Sequence, residues 1–111
     1  MLARAHRIVT GDELRLIQRK GRRLATPFFV VSVKASDPDT ASRFGCVVSK
    51  KVGNAVVRNR VKRRLRSLAQ TLIDTSPVGV DVVVRALPHA GGASFAELSQ
   101  AWDESTRVLA P

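Results

Sequence analysis

At 111 residues the chain has room for one domain with one modest core, and 44% hydrophobic residues are enough to fill it. Nineteen Lys and Arg against nine Asp and Glu give a formal charge of +10 and a pI near 11.5, a balance that points to a polyanionic partner. A single cysteine excludes a disulfide framework and a cysteine-built zinc site, the two histidines have no ligand-spaced companions, and no stretch reaches the apolar length of a membrane span.

Residues 1–9 are basic and aperiodic and lack the apolar core of a signal peptide, so they read as a flexible basic arm on a cytoplasmic chain of one domain, 1–111. Thr10 and Glu13 stand at capping-box spacing, which predicts a helix over 12–20 that stops at Gly21 with Leu14, Leu16 and Ile17 inward. Residues 27–35 alternate as a strand. Phe29, Val31 and Val33 fall on the core face, and Phe28, Val30, Ser32 and Lys34 on a mixed face. The polar segment 36–42 reads as a turn, and 43–49 as a second strand forming a hairpin with the first. Cys46 lies in that apolar run and reads as a small core residue.

Asn54 is a candidate N-cap for a helix over 55–73. Val57, Val61, Leu65, Leu68 and Leu72 recur at spacings of four, four, three and four, a single buried stripe. Eight cations lie between Lys50 and Arg66, and no acid stands between Asp39 and Asp74. At 100° per residue those cations cover the rest of the helix, giving a narrow seam with a broad cationic back. Ser76-Pro77 and Gly79 break the chain. Residues 80–86 are apolar almost throughout and predict a strand buried on both faces. After a loop over 87–92, Ser94 and Glu97 open a last helix to about Val108, with Phe95, Leu98, Trp102 and Leu109 inward. Its acids, Glu97, Asp103 and Glu104, make it a poor surface for RNA. The order is that of an α+β (α/β) sandwich, a small sheet packed with helices.

Enzyme chemistry is nearly absent from this pattern. No carboxylate pair forms an acid–base motif and no glycine-rich phosphate loop is present. Ser49 beside Lys50 and Lys51 is a poor nucleophile, because a lysine among like charges supplies no special base. The basic helix instead suits a phosphate lattice: arginine offers a planar fork, lysine a point charge, and Asn54 and Asn59 amide groups for sugars and bases. A helix reading a DNA groove is the weaker alternative, since a strand precedes it rather than a helix-turn-helix partner.

The run Lys50-Lys51-Val52-Gly53-Asn54-Ala55-Val56-Val57-Arg58-Asn59-Arg60-Val61-Lys62-Arg63, followed by Arg66, resembles the signature of the bacterial ribonuclease P protein subunit. Arg43-Phe44-Gly45, Val48-Ser49-Lys50, Asp81-Val82-Val83-Val84, and Leu14 through Gly21-Arg22-Arg23 agree with it. The resemblance implies a ribosomal-protein-like fold with a left-handed strand–helix–strand crossover around the basic helix, an exception to the usual hand. It implies a catalytic RNA as partner and precursor tRNA as substrate, with no membrane and no DNA. The complex would remove the 5′ leader by phosphodiester hydrolysis, using Mg²⁺ held mainly by the RNA and none by the protein alone. Carried over by position, Lys50, Lys51, Asn54, Arg58, Asn59, Arg60, Lys62, Arg63 and Arg66 are RNA-contact candidates, and no residue is catalytic. Phe28, Lys34 and Leu14 are candidates for a leader cleft, where an aromatic ring stacks on an unpaired base. An ordinary half-buried strand Phe is the alternative for Phe28. Relatives place Phe at the positions of Leu14 and Gln18 and Arg at that of Leu87. A ribosomal or RNA-chaperone-type protein without an enzymatic partner shares the charge and size, but does not account for the order of these motifs.

Overall fold

The computed structural model describes residues 2–109. A 3₁₀ turn at Arg4–His6 leads to α1 (Gly11–Lys20), β1 (Arg22–Ala25), β2 (Phe29–Ala35), β3 (Arg43–Val47), α2 (Ala55–Thr75) and β4 (Val80–Ala86). A second 3₁₀ turn at Pro88–Gly92 leads to α3 (Phe95–Leu109). The strands form one mixed sheet in the order β1-β2-β4-β3.

β4 takes the interior of the sheet because its side chains are apolar on both faces. On one face Val82 and Val84 join Phe29, Val31 and Phe44 in a core closed by Val61, Leu65 and Leu68 of α2 and by Leu98 and Trp102 of α3. Trp102 meets Phe29 and Phe44 edge-on, with ring centroids 6.5 and 6.3 Å away. On the other face Val83 packs with Ile17 of α1 and Ile8, flanked by Leu14 and Val47. α1 begins at the Thr10 cap, whose Oγ1 accepts from the Glu13 amide. α3 begins at a reciprocal box in which the Glu97 amide donates to Ser94 Oγ and the Ser94 amide to Glu97 Oε1. The Ser94 amide, and after it the Ser94 hydroxyl, hold the Glu97 carboxyl below its ordinary pKa.

Four sequence expectations change. The hairpin between 27–35 and 43–49 does not form. β2 pairs antiparallel with β1 and β4, and β3 pairs parallel with β4, with α2 as the crossover between them. The polar segment 36–42 instead wraps the entry to β4: the Ser36 amide donates to Gly79 O and the Ser42 amide to Pro77 O. β1 was unforeseen because its four residues include only one half-buried apolar side chain, Leu24. Two residues expected inward face solvent instead: Phe95, at the first turn of α3, stays 42% exposed and Leu16 of α1 39%.

The fourth change concerns residues 1–9, of which those from Leu2 onward are described. They are not a free arm. Leu2 and Ile8 are buried, the Ile8 amide donates to Phe44 O at 3.0 Å, and Arg7 forms a parallel bridge with Phe44. His6 Nδ1 meets Ser42 O at 2.5 Å. The outer edge of β3 offers unpaired backbone groups, and this segment satisfies some of them.

Candidate nucleic-acid interface

α2 starts as its sequence predicts: Asn54 Oδ1 accepts from the Val57 amide at 2.9 Å, and the Arg58 amide returns to Asn54 O. Val61, Leu65, Leu68, Ala69 and Ile73 are buried, while Val57 and Leu72 pack half-buried at the margins. The seam therefore fixes which way each cation points.

The cations divide into three groups. Arg60 and Arg64, one turn apart, face the Pro88–Gly92 turn. Arg60 Nη2 donates to Gly91 O at 3.0 Å and Arg64 Nη1 to Ala93 O at 2.9 Å. Asn59 and Arg63 are exposed on the back. Arg58, Lys62 and Arg66 recur every four residues on the opposite flank, spaced about 6 Å along the axis, and Lys62 and Arg66 border the edge of β3. Lys50 and Lys51 are exposed in the loop that leads from β3 to the helix.

The Nε atoms of Arg58 and Arg60 are buried without a hydrogen-bond partner among the described residues. The helix thus offers a cationic surface while its core side is locked by the buried seam. Arg60 and Arg64 differ from the other cations of α2 because each already commits one donor to a backbone carbonyl of the protein.

Phe28, Lys34 and Leu14 do not meet. Thr26 makes a tight turn in which its Oγ1 accepts from the amides of Phe28 and Phe29 and its amide donates to Phe29 O. Strand alternation therefore begins at Phe29. Phe28 leans on the main core beside Glu97, Gln100 and Ala101 of α3. Lys34 lies at the far end of β2, opposite Asp81, about 20 Å along a strand from Phe28. Leu14 is folded down onto Ile8 and Gly45, where a Cβ on residue 45 would collide with it, so it holds α1 in place.

Arg43 holds the same helix. Its Nε and Nη2 donate to both oxygens of Asp81 at 3.1 Å each, and Nη1 reaches Glu13 on α1. The Asp81 bonds come first in raising the Arg43 pKa, and the Arg43 bond chiefly lowers that of Glu13.

Arg85 is the functional candidate that sequence reading passed over. It is exposed on the strand face that bears Val83, in register with Val30 of β2 and Val47 of β3. It lies beside the end of β3 from which Lys50 and Lys51 follow. Its signal in the sequence is a cation that follows directly on the apolar run Val82-Val83-Val84.

A sequence model of the family described as Ribonuclease P matches residues 2–109. The chain is 48% identical over 88 residues to the ribonuclease P protein component of Clavibacter michiganensis subsp. michiganensis, covering 79% of this chain and 78% of that one. It is 46% identical over 102 residues to the ribonuclease P protein component of a Nocardioides species, covering 90% and 87%. Among solved structures, the RNase P protein of Staphylococcus aureus superposes with a TM-score of 0.81 at 27% identity, covering 95% of each chain.

Proposed function

The chain belongs to the ribonuclease P protein family, which binds RNA in the maturation of tRNA 5′ ends, and on that premise we propose how its surface is divided between the RNAs of the complex. The exposed flank and back of α2, with Arg58, Asn59, Lys62, Arg63 and Arg66, take the backbone of a catalytic RNA. Lys50, Lys51 and Asn54 continue that surface to the end of β3. Arg85, on the sheet face beside α1, takes the single-stranded 5′ leader of precursor tRNA in place of the Phe28–Lys34 pair. Arg60 supports the interface from within through Gly91.

The observation that carries this reading is the unacidic run of cations on a helix whose opposite side is locked into the core. The protein serves an endoribonuclease complex, and in this reading it contributes binding while the RNA performs the hydrolysis. Mg²⁺ belongs with the RNA. The donors on the α2 face are cations and amides, and among the described residues no three His, Cys, Asp or Glu side chains gather. A hard divalent cation takes oxygen ligands, chiefly carboxylates, which this face does not provide.

Cleavage of a precursor tRNA by a bacterial ribonuclease P RNA at low Mg²⁺, with and without the protein, tests the assignment. Strong stimulation yielding the mature 5′ end is expected. A folded protein that gives no stimulation with the cognate RNA would return the chain to the ribosomal or chaperone-type reading. Substituting Arg85→Ala should weaken binding of precursor tRNA more than that of mature tRNA, whereas an equal effect on both removes Arg85 from the leader site.

A further inference from the structure

A cavity of about 250 Å³ opens between the N-terminal segment, the edge of β3 and α2. Its floor includes Leu2, Phe44 and Cys46, and three cations line it: Arg7 from the N-terminal segment and Lys62 and Arg66 from α2. No carboxylate is among the described residues that line it. Arg7 Nε and Nη2 both donate to Leu2 O, at 2.9 and 2.7 Å. That pairing fixes the plane of the guanidinium and leaves Nη1 and one Nη2 hydrogen unspent, since the group carries five N–H donors. Lys62 and Arg66 stand one helical turn apart on the other wall. Like charges brought together on a folded surface repel each other, and an anion between them turns that repulsion into attraction.

We propose that this notch binds a phosphodiester of the catalytic RNA, so that the N-terminal segment, through Arg7, is a second wall of the RNA interface. The inference rests on the α2 reading above and adds to it an element from the opposite end of the chain. A phosphate oxygen in the notch accepts from the free edge of Arg7 while Lys62 and Arg66 complete its charge. The segment is pre-ordered by Leu2, Ile8 and the bridge to Phe44, so seating the RNA costs little chain entropy.

The test compares Arg7→Gln, Arg7→Lys and Arg63→Ala with the unaltered protein, measuring affinity for the catalytic RNA over a range of salt concentrations. Glutamine can still donate to Leu2 O but has no charge. Melting followed by the fluorescence of Trp102, the one tryptophan, establishes that each variant is folded. For Arg7→Gln the expected loss is about three- to tenfold near physiological salt, with the log–log salt slope shallower by about 0.7–0.9. Arg7→Lys should keep most of the affinity and the full slope. In the unaltered protein, RNA should slow alkylation of the Cys46 thiol by N-ethylmaleimide.

Four results overturn the proposal: an Arg7→Gln slope equal to that of the unaltered protein, an equal loss in Arg7→Lys, a folding defect that accounts for the loss, or unchanged Cys46 alkylation with RNA bound. If Arg63→Ala also leaves binding unchanged, the α2 reading falls with it. If Arg63→Ala weakens binding and Arg7→Gln does not, only the notch is rejected.

Discussion

The guanidinium of Arg60 donates to the carbonyl oxygen of Gly91, 31 residues further along the chain. The central motif Arg58-Asn59-Arg60 thus contains two kinds of arginine: Arg58, whose guanidinium bonds to no carbonyl among the described residues, and Arg60, which ties the Pro88–Gly92 turn to α2. Arg60→Ala should therefore speed amide hydrogen exchange over 88–93 as well as weaken RNA binding, whereas Arg63→Ala should weaken binding alone. The lost charged hydrogen bond is worth about 1.5–3 kcal/mol. Exchange measured by mass spectrometry on both variants checks the contrast.

Gly91 itself sits where no side chain fits. A Cβ there would run into the Val52 carbonyl oxygen and close on Val57 Cγ1 at 3.2 Å. Gly91→Ala should push the turn away from the Val52–Asn54 segment and destabilise the fold by about 1–3 kcal/mol, the usual cost of overpacking. Chemical denaturation gives the stability, and the RNA affinity should fall with it because Arg60 loses its partner.

Leu65 lies at the centre of the α2 seam with no exposed surface. Leu65→Ala removes buried methyl groups among Phe29, Phe44 and Trp102, which should cost about 2–5 kcal/mol. Thermal melting tests this. A loss under about half a kilocalorie would mean that Leu65 does not fill the α2 seam.

The Arg43 bond depresses the Glu13 pKa. The pairing therefore stabilises the folded chain fully above the ordinary carboxylate range and is lost as pH falls through the lowered value. Glu13 is 38% exposed, so solvent screens the pair and its worth is about 1 kcal/mol or less. Glu13→Gln should lower the melting temperature slightly at neutral pH, and its difference from the unaltered protein should vanish on the acid side. Melting curves between neutral and acid pH give that difference directly.

The parts legible in the sequence were those set by local period and capping. Asn54, the α2 seam and β4 follow from spacing alone, and Thr10 and Ser94 mark their helices. Strand order did not follow, because Phe29–Ala35 and Arg43–Val47 show the same alternation whether they pair with each other or with a strand inserted between them. Arg60 and Arg63 look alike on a helical wheel, which does not tell which of them meets a carbonyl from another element. Phe28 escapes the strand alternation because Thr26 Oγ1 gathers its amide and that of Phe29 into a turn, so that β2 begins only at Phe29. Leu2 and Ile8 are single apolar residues without a period, and only the exposed edge of β3 gives them a place.

β1 leaves the other edge of the sheet open. Its four residues begin with the exposed pair Arg22 and Arg23, so a second copy adding a strand there would bring four guanidinium groups into one short ladder. The charge that suits this protein to a polyanion thus also guards it against edge-to-edge aggregation. Molar salt, which cuts the Debye length to about 3 Å, weakens both effects together. Stripping bound RNA with salt during purification should therefore be the step at which the protein is most prone to associate with itself.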